Sequence, residues 1–422
     1  MKIKSVHALQ VLDSRGFPTV QCGLATREGI FSAMVPSGAS TGSHEAHELR
    51  DNAKEWMGKG VLKAVSNVNT AIAKKISGKN FASQKELDDS LICLDGTENK
   101  EKLGANAILS VSMAFTRAIA AEQGTELFEC IGKISGNKKF ALPVPMVNVI
   151  NGGKHAGKEN DIQEHMFIPL KFNSFSGALQ ASVESYHCLK SLMKGKFGAA
   201  GTHLADEGGF APGLAFGERL VMMEKAIEDA GYSGRVFLGL DCAASEFFNG
   251  KKYQVESAQF SSGELIDFYS DLASRHRIIS IEDGLAEDDW KGWMGLTSRL
   301  GAKVQIVGDD LLVTNPNRIK EAIGMEACNA LLLKLNQIGT VSESIEAAKL
   351  ASKAGWKVVV SHRSGETEDS FIADFCVGIG AGQSKFGATA RGERTAKYNR
   401  LLAIEEALGK KALFAGESQF KK

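Results

Sequence analysis

The clearest pattern in the chain lies in its C-terminal two thirds, where short apolar runs alternate with segments of helical periodicity. Continuous apolar runs of four or five residues are typical of strands buried on both faces. The runs predicted as strands are residues 236–240, 278–281, 304–307, 330–333 and 358–360. The intervening segments predicted as helices are residues 262–273, 290–300, 317–323 and 340–354. This alternation predicts a parallel sheet, and its length favours a closed β/α barrel over an open sheet.

The first third of the chain has a different, mixed pattern. Residues 19–24 and 29–35 read as two strands joined by a short turn, which indicates a hairpin. Residues 53–123 are mostly helical in pattern, and the clearest helix, residues 106–122, is followed by Gly124, a usual helix C-terminus. The sequence therefore predicts an α/β protein with two domains. These are a smaller N-terminal α+β domain, residues 1–135, and a C-terminal β/α (TIM-like) barrel, residues 136–422.

Composition narrows the class of protein further. The 422 residues include 50 Lys and Arg against 50 Asp and Glu, so nothing attracts the whole chain to nucleic acid or anionic lipid. The seven cysteines contain no C-x-x-C pair, which argues against a disulfide framework and a cysteine zinc site. The sequence has neither the apolar stretch of a signal peptide nor that of a membrane-spanning helix. We expect a cytoplasmic enzyme.

Polar side chains follow each apolar run of the predicted barrel. In chain order they are Asp241, Glu282, Asp309, Lys334 and the segment 362–364, which reads His-Arg-Ser. Because the C-terminal ends of barrel strands converge on one mouth, we expect three carboxylates, an ammonium, an imidazole and a guanidinium to meet there.

Three clustered carboxylates repel one another unless a cation neutralises them. Hard oxygen ligands prefer Mg²⁺, Mn²⁺ or Ca²⁺, so the pattern favours a divalent metal site. Each acid taken alone could equally be a helix cap or a surface ion-pair partner. Lys334 is either a structural ion-pair partner or, if partly desolvated beside cations, a base with a lowered pKa. The residues alone leave both readings open.

Three glycine-containing segments add further candidates. His155 lies in a glycine-rich stretch that leads to Gln163 and Glu164, and Glu207 precedes a pair of glycines. Such an acid is either turn chemistry or an exposed proton donor, and its type alone does not decide between them. Residues 37–42 match neither a Walker loop nor a dinucleotide fingerprint, which leaves a flexible, hydroxyl-bearing lid as the alternative.

Long motifs with these residues resemble the enolase family. They are residues 35–42, 146–157, 206–212, 308–310, 331–339 and 361–369. The resemblance extends from residue 12 to residue 399, nearly the whole chain. It implies a barrel with an antiparallel start and a glycolytic hydro-lyase, phosphopyruvate hydratase. Such an enzyme reversibly dehydrates 2-phospho-D-glycerate to phosphoenolpyruvate, uses two Mg²⁺ per active site and forms a homodimer or larger homo-oligomer.

The resemblance also implies a role for each matching residue. Asp241, Glu282 and Asp309 would hold the first Mg²⁺, and Ser40 would help bind the second together with the substrate phosphate. Lys334 would remove the C2 proton, and Glu207, supported by Glu164, would protonate the departing C3 hydroxyl. The remaining residues of the substrate site would be His155, His362, Gln163, Arg363, Ser364 and Lys385, the two histidines counting among the catalytic groups.

At four positions the chain departs from the usual pattern of the family. Phe17 stands for Asn, Gln21 for Glu, Gly284 for Pro and Gly392 for Ser. None of them is an implied ligand or catalytic group. The first two lie where the family forms its dimer contact, and Gly284 could loosen the strand end that carries Glu282.

Two alternatives remain beside the glycolytic reading. Another member of the superfamily, such as a racemase or cycloisomerase acting on a carboxylate without phosphate, would keep the three acids. It would lack residues 361–364, Lys385 and the Ser40 loop. Lys421 and Lys422 resemble the C-terminal lysines by which some enolases bind plasminogen, so a surface or secreted pool is an additional hypothesis.

Overall fold

The structure is a computed structural model that describes residues 1–38 and 42–420. The predicted phosphate and metal ligand Ser40 and the terminal Lys421 and Lys422 therefore lie outside the described residues.

A three-stranded antiparallel sheet begins the chain. Its strands are β1 Ser5–Leu12, β2 Pro18–Ala25 and β3 Ile30–Met34. β2 lies in the middle, and its Val20, Cys22 and Leu24 alternate into the core. This period of two is the pattern of a sheet with one buried face. The predicted hairpin is confirmed as β2 and β3, whereas β1 was not predicted.

The helices of the N-terminal domain follow this sheet in the chain. They are α1 Leu62–Asn67, a π-helical turn Val68–Ile72, α2 Ala73–Ile76, α3 Gln84–Asp95, α4 Ala105–Gln123 and α5 Leu127–Ser135. α4 contacts β2 and β3, and nearly all of its side chains are buried. It ends at Gly124, whose φ of 60° is the left-handed conformation that glycine adopts without steric cost. The helix expected over residues 106–122 is confirmed.

The remaining strands belong mainly to one large sheet. They are β4 Ala141–Leu142, β5 Val144–Pro145, β6 Val147–Asn151, β7 Glu164–Pro169, β8 Val236–Asp241, β9 Tyr253–Val255, β10 Ala258–Phe260, β11 Ile278–Glu282, β12 Gln305–Gly308, β13 Ala330–Leu333, β14 Lys357–Ser361, β15 Gly382–Lys385 and β16 Leu413–Phe414. The order in the large sheet is β5-β15-β14-β13-β12-β11-β8-β7-β6. Only Met146 separates β5 from β6, and its N–H donates to Ser384 at 2.7 Å. One extended segment thus closes the sheet into a barrel.

The five predicted barrel strands are confirmed as β8, β11, β12, β13 and β14. β7 runs antiparallel to both of its neighbours, so the barrel has the antiparallel start that the resemblance implied. β15, with the sequence Gly-Gln-Ser-Lys, was not predicted because it lacks an apolar run. The α/β fold class with a C-terminal barrel is confirmed, while the domain boundary after residue 135 stays a prediction.

Helices surround the barrel. They are α6 Phe175–Phe197, α7 Phe216–Asp229, α8 Ser262–Arg275, α9 Trp290–Leu300, α10 Pro316–Gly324, α11 Leu335–Ile338, α12 Val341–Lys353, α13 Phe371–Ile379 and α14 Gly392–Leu408. The four predicted helices correspond to α8, α9, α10 and α12. Each begins after a side chain that accepts a hydrogen bond from a first-turn N–H, as helix starts require. These caps are Ser261, Asp289, Asn315 and Thr340.

The C-terminal segment closes the end of the barrel where the parallel strands begin. β16 pairs in parallel with β4, and Phe414 and Phe420 lie against the apolar cluster inside the barrel. Phe420 also lines one cavity with Val304 and Lys357, where β12 and β14 start. With this end covered, the opposite end of the barrel is left as the mouth.

The N-terminal domain caps helix α12 of the barrel. Asp88 on α3 accepts a hydrogen bond from the N–H of Ser342 at 3.0 Å, and the Ser112 hydroxyl accepts one from Val341 at 3.0 Å. Both N–H groups are in the first turn of α12, where no intrahelical acceptor exists. Burial is the main cause that raises the pKa of Asp88 to about 6. The two domains are therefore joined by a buried polar contact.

We predict that Asp88→Ala destabilises the protein more at pH 5 than at pH 8. The folded-state pKa of about 6 lies above the ordinary value of 3.8. The native state thus binds the proton more tightly than the unfolded state does. The contribution of Asp88 to the free energy of unfolding is largest below its pKa in the unfolded state. It is lost as the pH rises through its pKa in the folded state. By this linkage the difference between the two pH values is about 1 kcal/mol.

The measurement is the free energy of unfolding in urea at both pH values. The exposed neighbour Asp89, which pairs with Lys85 on the surface, is the control. Asp89→Ala should cost the same at both pH values. An Asp88→Ala loss that grows with pH would contradict the buried cap.

Candidate active site

Strand register brings four polar side chains together at the barrel mouth. Asn151 pairs with Glu164, Glu164 with Asp241, and Asp241 with Glu282, across β6, β7, β8 and β11. Because β7 is antiparallel, its first residue lies where its neighbours end. Lys385, the last residue of β15, pairs with Ser361 of β14.

One cavity at this mouth contains almost the whole predicted site. It is lined by the predicted residues His155, Gln163, Glu164, Glu207, Asp241, Asp309, Lys334, His362, Arg363, Ser364 and Lys385. Glu282 is fully buried behind them, in contact with Lys385. Four lining residues were not predicted: Ala243, Asp283, Asp310 and Ser361. The structure therefore places every described candidate in one region.

A buried lysine neutralises the acids on the first strands. Lys385 Nζ lies 2.7 Å from Asp241 Oδ2, 2.8 Å from Glu282 Oε1 and 3.2 Å from Glu164 Oε2. Burial disfavours its charged form, but these carboxylates raise the pKa of Lys385 well above its ordinary value. Burial, and next Asp241, raise the pKa of Glu282 well above its ordinary range. The cluster tolerates its like charges because an ammonium lies among them.

Lys334 neutralises the third predicted metal ligand. Its ammonium forms an ion pair with Asp309, whose other oxygen accepts a hydrogen bond from Gln337 at 2.8 Å. Burial opposes the charge, but Asp309 raises the pKa of Lys334 above its ordinary value. In this state Lys334 is an ammonium.

Two acids that sequence reasoning missed adjoin predicted ligands. Asp283 accepts hydrogen bonds from the N–H groups of Asp309 and Asp310, both at 2.9 Å, and so orients the loop after β12. Oxygens of Asp283, Asp309 and Asp310 all lie within 4.8 Å of one another. Burial, and next Asp309, raise the pKa of Asp310 to about 8. Their position directly after Glu282 and Asp309 was a signal that could have identified them.

The departure at Gly284 does not leave a gap beside Glu282. A β-carbon at Gly284 would lie 3.0 Å from Leu296 Cδ2 and 3.2 Å from Ile281 Cγ2. Neighbouring side chains thus already fill the space around this glycine.

A second group of acids lies on the other side of the mouth. Glu207 Oε2 accepts a hydrogen bond from Asn148 at 2.9 Å and lies 3.4 Å from His362 Nε2. His155 Nδ1 lies 3.5 Å from Glu164 Oε1 and 3.7 Å from Glu207 Oε1.

The two acids of this group have opposite pKa shifts. Burial, and next Glu207, raise the pKa of Glu164 well above its usual range. Burial acts in the same direction on Glu207, but His362 and His155 hold the pKa of Glu207 well below its usual range. The two carboxyls titrate as a pair, and the proton favours Glu164.

The N-terminal domain reaches the cavity through an acid that sequence reasoning missed. Glu45 Oε2 lies 2.9 Å from Arg363 Nη1, and Asn336 accepts from the same nitrogen at 3.1 Å. Arg363 is buried, and Glu45 raises its pKa against the effect of burial. Glu45 was not predicted to belong to the site. Its partner Arg363 lies 318 positions further along the chain, so no local sequence pattern indicates their contact.

The donor set fits a hard divalent cation. Asp241, Glu282 and Asp309 supply carboxylate oxygens at adjacent strand ends, which Mg²⁺ prefers. In the described part of the chain, the buried Glu282 Oε2 has no hydrogen-bond partner. An unpaired buried carboxylate oxygen is costly, so a cation there would satisfy it.

The fold and the site together define a barrel enzyme whose buried acids and lysines act on a small anionic substrate. Comparison with known proteins gives the family. The model of "Enolase, N-terminal domain" matches residues 3–131, and "Enolase, C-terminal TIM barrel domain" matches residues 139–422. A protein named "Enolase" from Elusimicrobium minutum (strain Pei191) is 53% identical over 100% of both chains. Another from Solanum lycopersicum is 51% identical over 99% of this chain and 98% of that protein.

The chain therefore belongs to the enolase family. It is a hydro-lyase of glycolysis, and its reaction is the reversible dehydration of 2-phospho-D-glycerate to phosphoenolpyruvate. The resemblance drawn from the motifs is confirmed, and the alternative of a superfamily member without a phosphate substrate is not supported.

We predict that Lys385→Met lowers the melting temperature of the metal-free protein. Added Mg²⁺ should raise the melting temperature of this variant more than it raises that of the wild type. Removing one partner of a buried ion pair costs about 3–5 kcal/mol, because the other charge stays buried. Three carboxylates lose their ammonium here, so a divalent cation should bind them with a larger stabilising effect.

The measurement is the melting temperature in chelator and in excess Mg²⁺. Lys397→Met is the matched control, since Lys397 is also buried, but among the described residues its ion pair is with one carboxylate, that of Glu366, at 2.8 Å. We expect that variant to lose stability without additional recovery in Mg²⁺. Equal recovery in both variants would contradict the neutralising role of Lys385.

Proposed function

We propose that Lys334 is the base and Glu207 the acid of the dehydration. The observation that carries this division is that the two groups line one cavity but belong to separate hydrogen-bond networks. Lys334 is bound to Asp309, whereas Glu207 is bound to Asn148 and adjoins His362. A base and an acid held on different elements can act on different faces of one substrate.

The base must act on a very weak carbon acid. The C2 proton lies next to a carboxylate that already bears a charge, and its removal places a second negative charge there. Lys334 can accept this proton only as the neutral amine. The ion pair with Asp309 holds it in the charged form, so its base function requires that this pull be weakened.

The acid must protonate a poor leaving group. Hydroxide departs from C3 only if it receives a proton, and Glu207 would supply it. The low pKa of Glu207 means that it needs a nearby proton source. Glu164, with its raised pKa, and His155 lie beside it and would help return the proton.

We infer that two Mg²⁺ act at each site. Asp241, Glu282 and Asp309 would hold the first, and Ser40, outside the described residues, would help hold the second with the substrate phosphate. When bound, these ions would stabilise the second charge on the substrate carboxylate and weaken the pull of Asp309 on Lys334.

The remaining residues would bind and orient the substrate. Arg363 presents a planar fork suited to a phosphate group, and Ser364 lies next to it in the chain. Lys385, Gln163 and His155 line the same cavity, together with His362. Fixing the phosphate at one end would place C2 and C3 between the base and the acid.

We propose a cytoplasmic homodimer. The N-terminal domain exposes the large apolar side chains of Leu12, Trp56, Met57 and Leu62, which a second copy could cover. Among the described residues, no helix has both the length and the apolarity needed to cross a bilayer. The hypothesis of surface binding through Lys421 and Lys422 lies outside the described residues and stays a hypothesis.

We predict that Lys334→Ala slows exchange of the C2 proton of 2-phosphoglycerate with solvent deuterium by at least about 100-fold. A positioned base contributes a factor of about 10²–10⁴. Glu207→Gln is the matched variant, since it removes the acid and leaves the base. Glu207→Gln should retain exchange of the C2 proton, whereas its rate of dehydration should fall by a factor similar to the loss of exchange in Lys334→Ala.

Nuclear magnetic resonance of the substrate in D₂O follows exchange, and ultraviolet absorbance follows the enol product. Wild-type exchange in Lys334→Ala would refute the base assignment. Equal loss of both reactions in Glu207→Gln would refute the separation of acid from base.

We predict that Mg²⁺ titration in saturating phosphoenolpyruvate gives two ions per chain, measured by calorimetry. Glu282→Gln should weaken one binding event at least about tenfold, because it removes a charged ligand from the first site. Asp288→Asn is the control, since this acid is exposed and does not line the cavity. A single ion in the wild type, or unchanged binding in Glu282→Gln, would contradict the assigned ligands.

A further inference from the structure

A fully buried arginine connects two loops of the active site. Arg394, on α14, is 0% exposed. Its Nη1 lies 2.7 Å from His362 Nδ1 and donates to the carbonyl of Arg363 at 2.6 Å. Its Nη2 donates to the carbonyls of Asp206 at 3.0 Å and Ser364 at 2.7 Å. The loop that carries Glu207 and the loop that carries His362 are therefore held by one guanidinium.

The contact with His362 fixes the position of the proton on the imidazole ring. A guanidinium only donates hydrogen bonds and does not lose its proton in proteins. His362 Nδ1 must therefore accept, and it carries no hydrogen. The ring is the neutral tautomer with its hydrogen on Nε2.

The ring nitrogen that carries this hydrogen lies near the proposed acid. His362 Nε2 lies 3.4 Å from Glu207 Oε2, and Asn148 donates to the same oxygen at 2.9 Å. Oε2 thus faces two donors, and a hydrogen on it would point at one of them. The position left for a carboxylic hydrogen is Oε1, on the side of His155 and Glu164.

We propose that Arg394 is a positioning residue that holds His362 as the neutral Nε2–H tautomer and thereby confines the acidic proton of Glu207 to Oε1. This inference rests on the proposed role of Glu207 as the acid. Arg394 acts through His362 and is absent from the residues that line the cavity. Its effect is to give the acid one direction of proton delivery.

The charges around His362 agree with this geometry. The charged groups that face the ring are Glu207, Glu366 and Arg394. Burial is the main cause that lowers the pKa of His362 to about 4, and Arg394 acts in the same direction against the two carboxylates. The ring therefore stays neutral at neutral pH. Without Arg394, two carboxylates would face the ring unopposed and favour its charged form.

The test is nuclear magnetic resonance of the full-length protein with nitrogen-15 in its histidine rings. The signals of His362 are identified by their loss in His362→Gln. The variants are Arg394→Met, which removes the charge and all donors, and Arg394→Lys, which keeps the charge and a donor. Arg400→Lys is the matched control, since Arg400 is on the same helix but binds Asp374 and Glu126 away from the cavity.

In the wild type we expect a bare Nδ1 and a protonated Nε2 from pH 6 to pH 8. In Arg394→Met the His362 ring should lose this fixed tautomer and should titrate at higher pH than in the wild type. The kcat of this variant should fall by about 100-fold, the scale of one acid–base contribution. Arg394→Lys should recover the tautomer and part of kcat. Arg400→Lys should match the wild type in both readouts.

A hydrogen on Nδ1 in the wild type would overturn the proposal, and this result needs no variant to fold. An unchanged ring in a folded Arg394→Met protein would overturn it as well, as would an altered ring with wild-type kcat. The ring signals are recorded without substrate, so they do not depend on the acid role of Glu207. Failure of that role would appear separately, as dehydration retained in Glu207→Gln.

Discussion

The rest of the site depends on the neutralisation of buried carboxylates by a few cations. Glu164, Asp241 and Glu282 are adjacent on the sheet, and each is almost completely buried. Such a cluster is unstable unless positive charge lies within contact distance. Lys385 supplies that charge to all three, and Lys334 supplies it to Asp309. Asp241, Glu282 and Asp309, which hold the lysines protonated, are also the proposed Mg²⁺ ligands, so metal binding there would be coupled to the protonation state of Lys334.

The N-terminal domain is part of the site rather than an appendage to the barrel. Glu45 binds Arg363, and the main chain of Ser37 exchanges two hydrogen bonds with that of Gly365. On the far side of the interface, Asp88 and Ser112 cap the helix that follows Lys334 and Gln337. The orientation of Arg363, for which we propose a role in phosphate binding, therefore depends on how the two domains are joined. A displacement at this interface would alter substrate binding without changing any residue of the barrel.

The acid side of the cavity is organised by hydrogen-bond direction more than by net charge. Arg394, His362 and Glu207 form a chain in which the role of Arg394 is fixed, because a guanidinium can only donate. That restriction passes from Arg394 to the ring and from the ring to one oxygen of Glu207. The proton shared by Glu164 and Glu207 is thereby kept on the side of the pair that faces His155. A buried cation outside the cavity can in this way influence the direction of proton transfer inside it.

Local periodicity was enough to predict the barrel and the acids at its mouth. Buried parallel strands require continuous apolar runs, and the barrel brings whatever follows each run to one end, so Asp241, Glu282, Asp309 and Lys334 could be found by counting along the chain. Their assignment as particular ligands and as a base came from the family motifs and not from the pattern.

β15 was not predicted because its polar residues face partners inside the barrel, such as the Gln305 amide bound to Gln383. Glu45 and Arg394 became meaningful only in the folded chain, since a hydrogen bond between distant segments leaves no trace in the order of neighbouring residues. Tertiary structure alone decided which lysine neutralises which acid and which nitrogen of His362 carries the hydrogen, because both depend on distances of about 3 Å that the chain acquires when it folds.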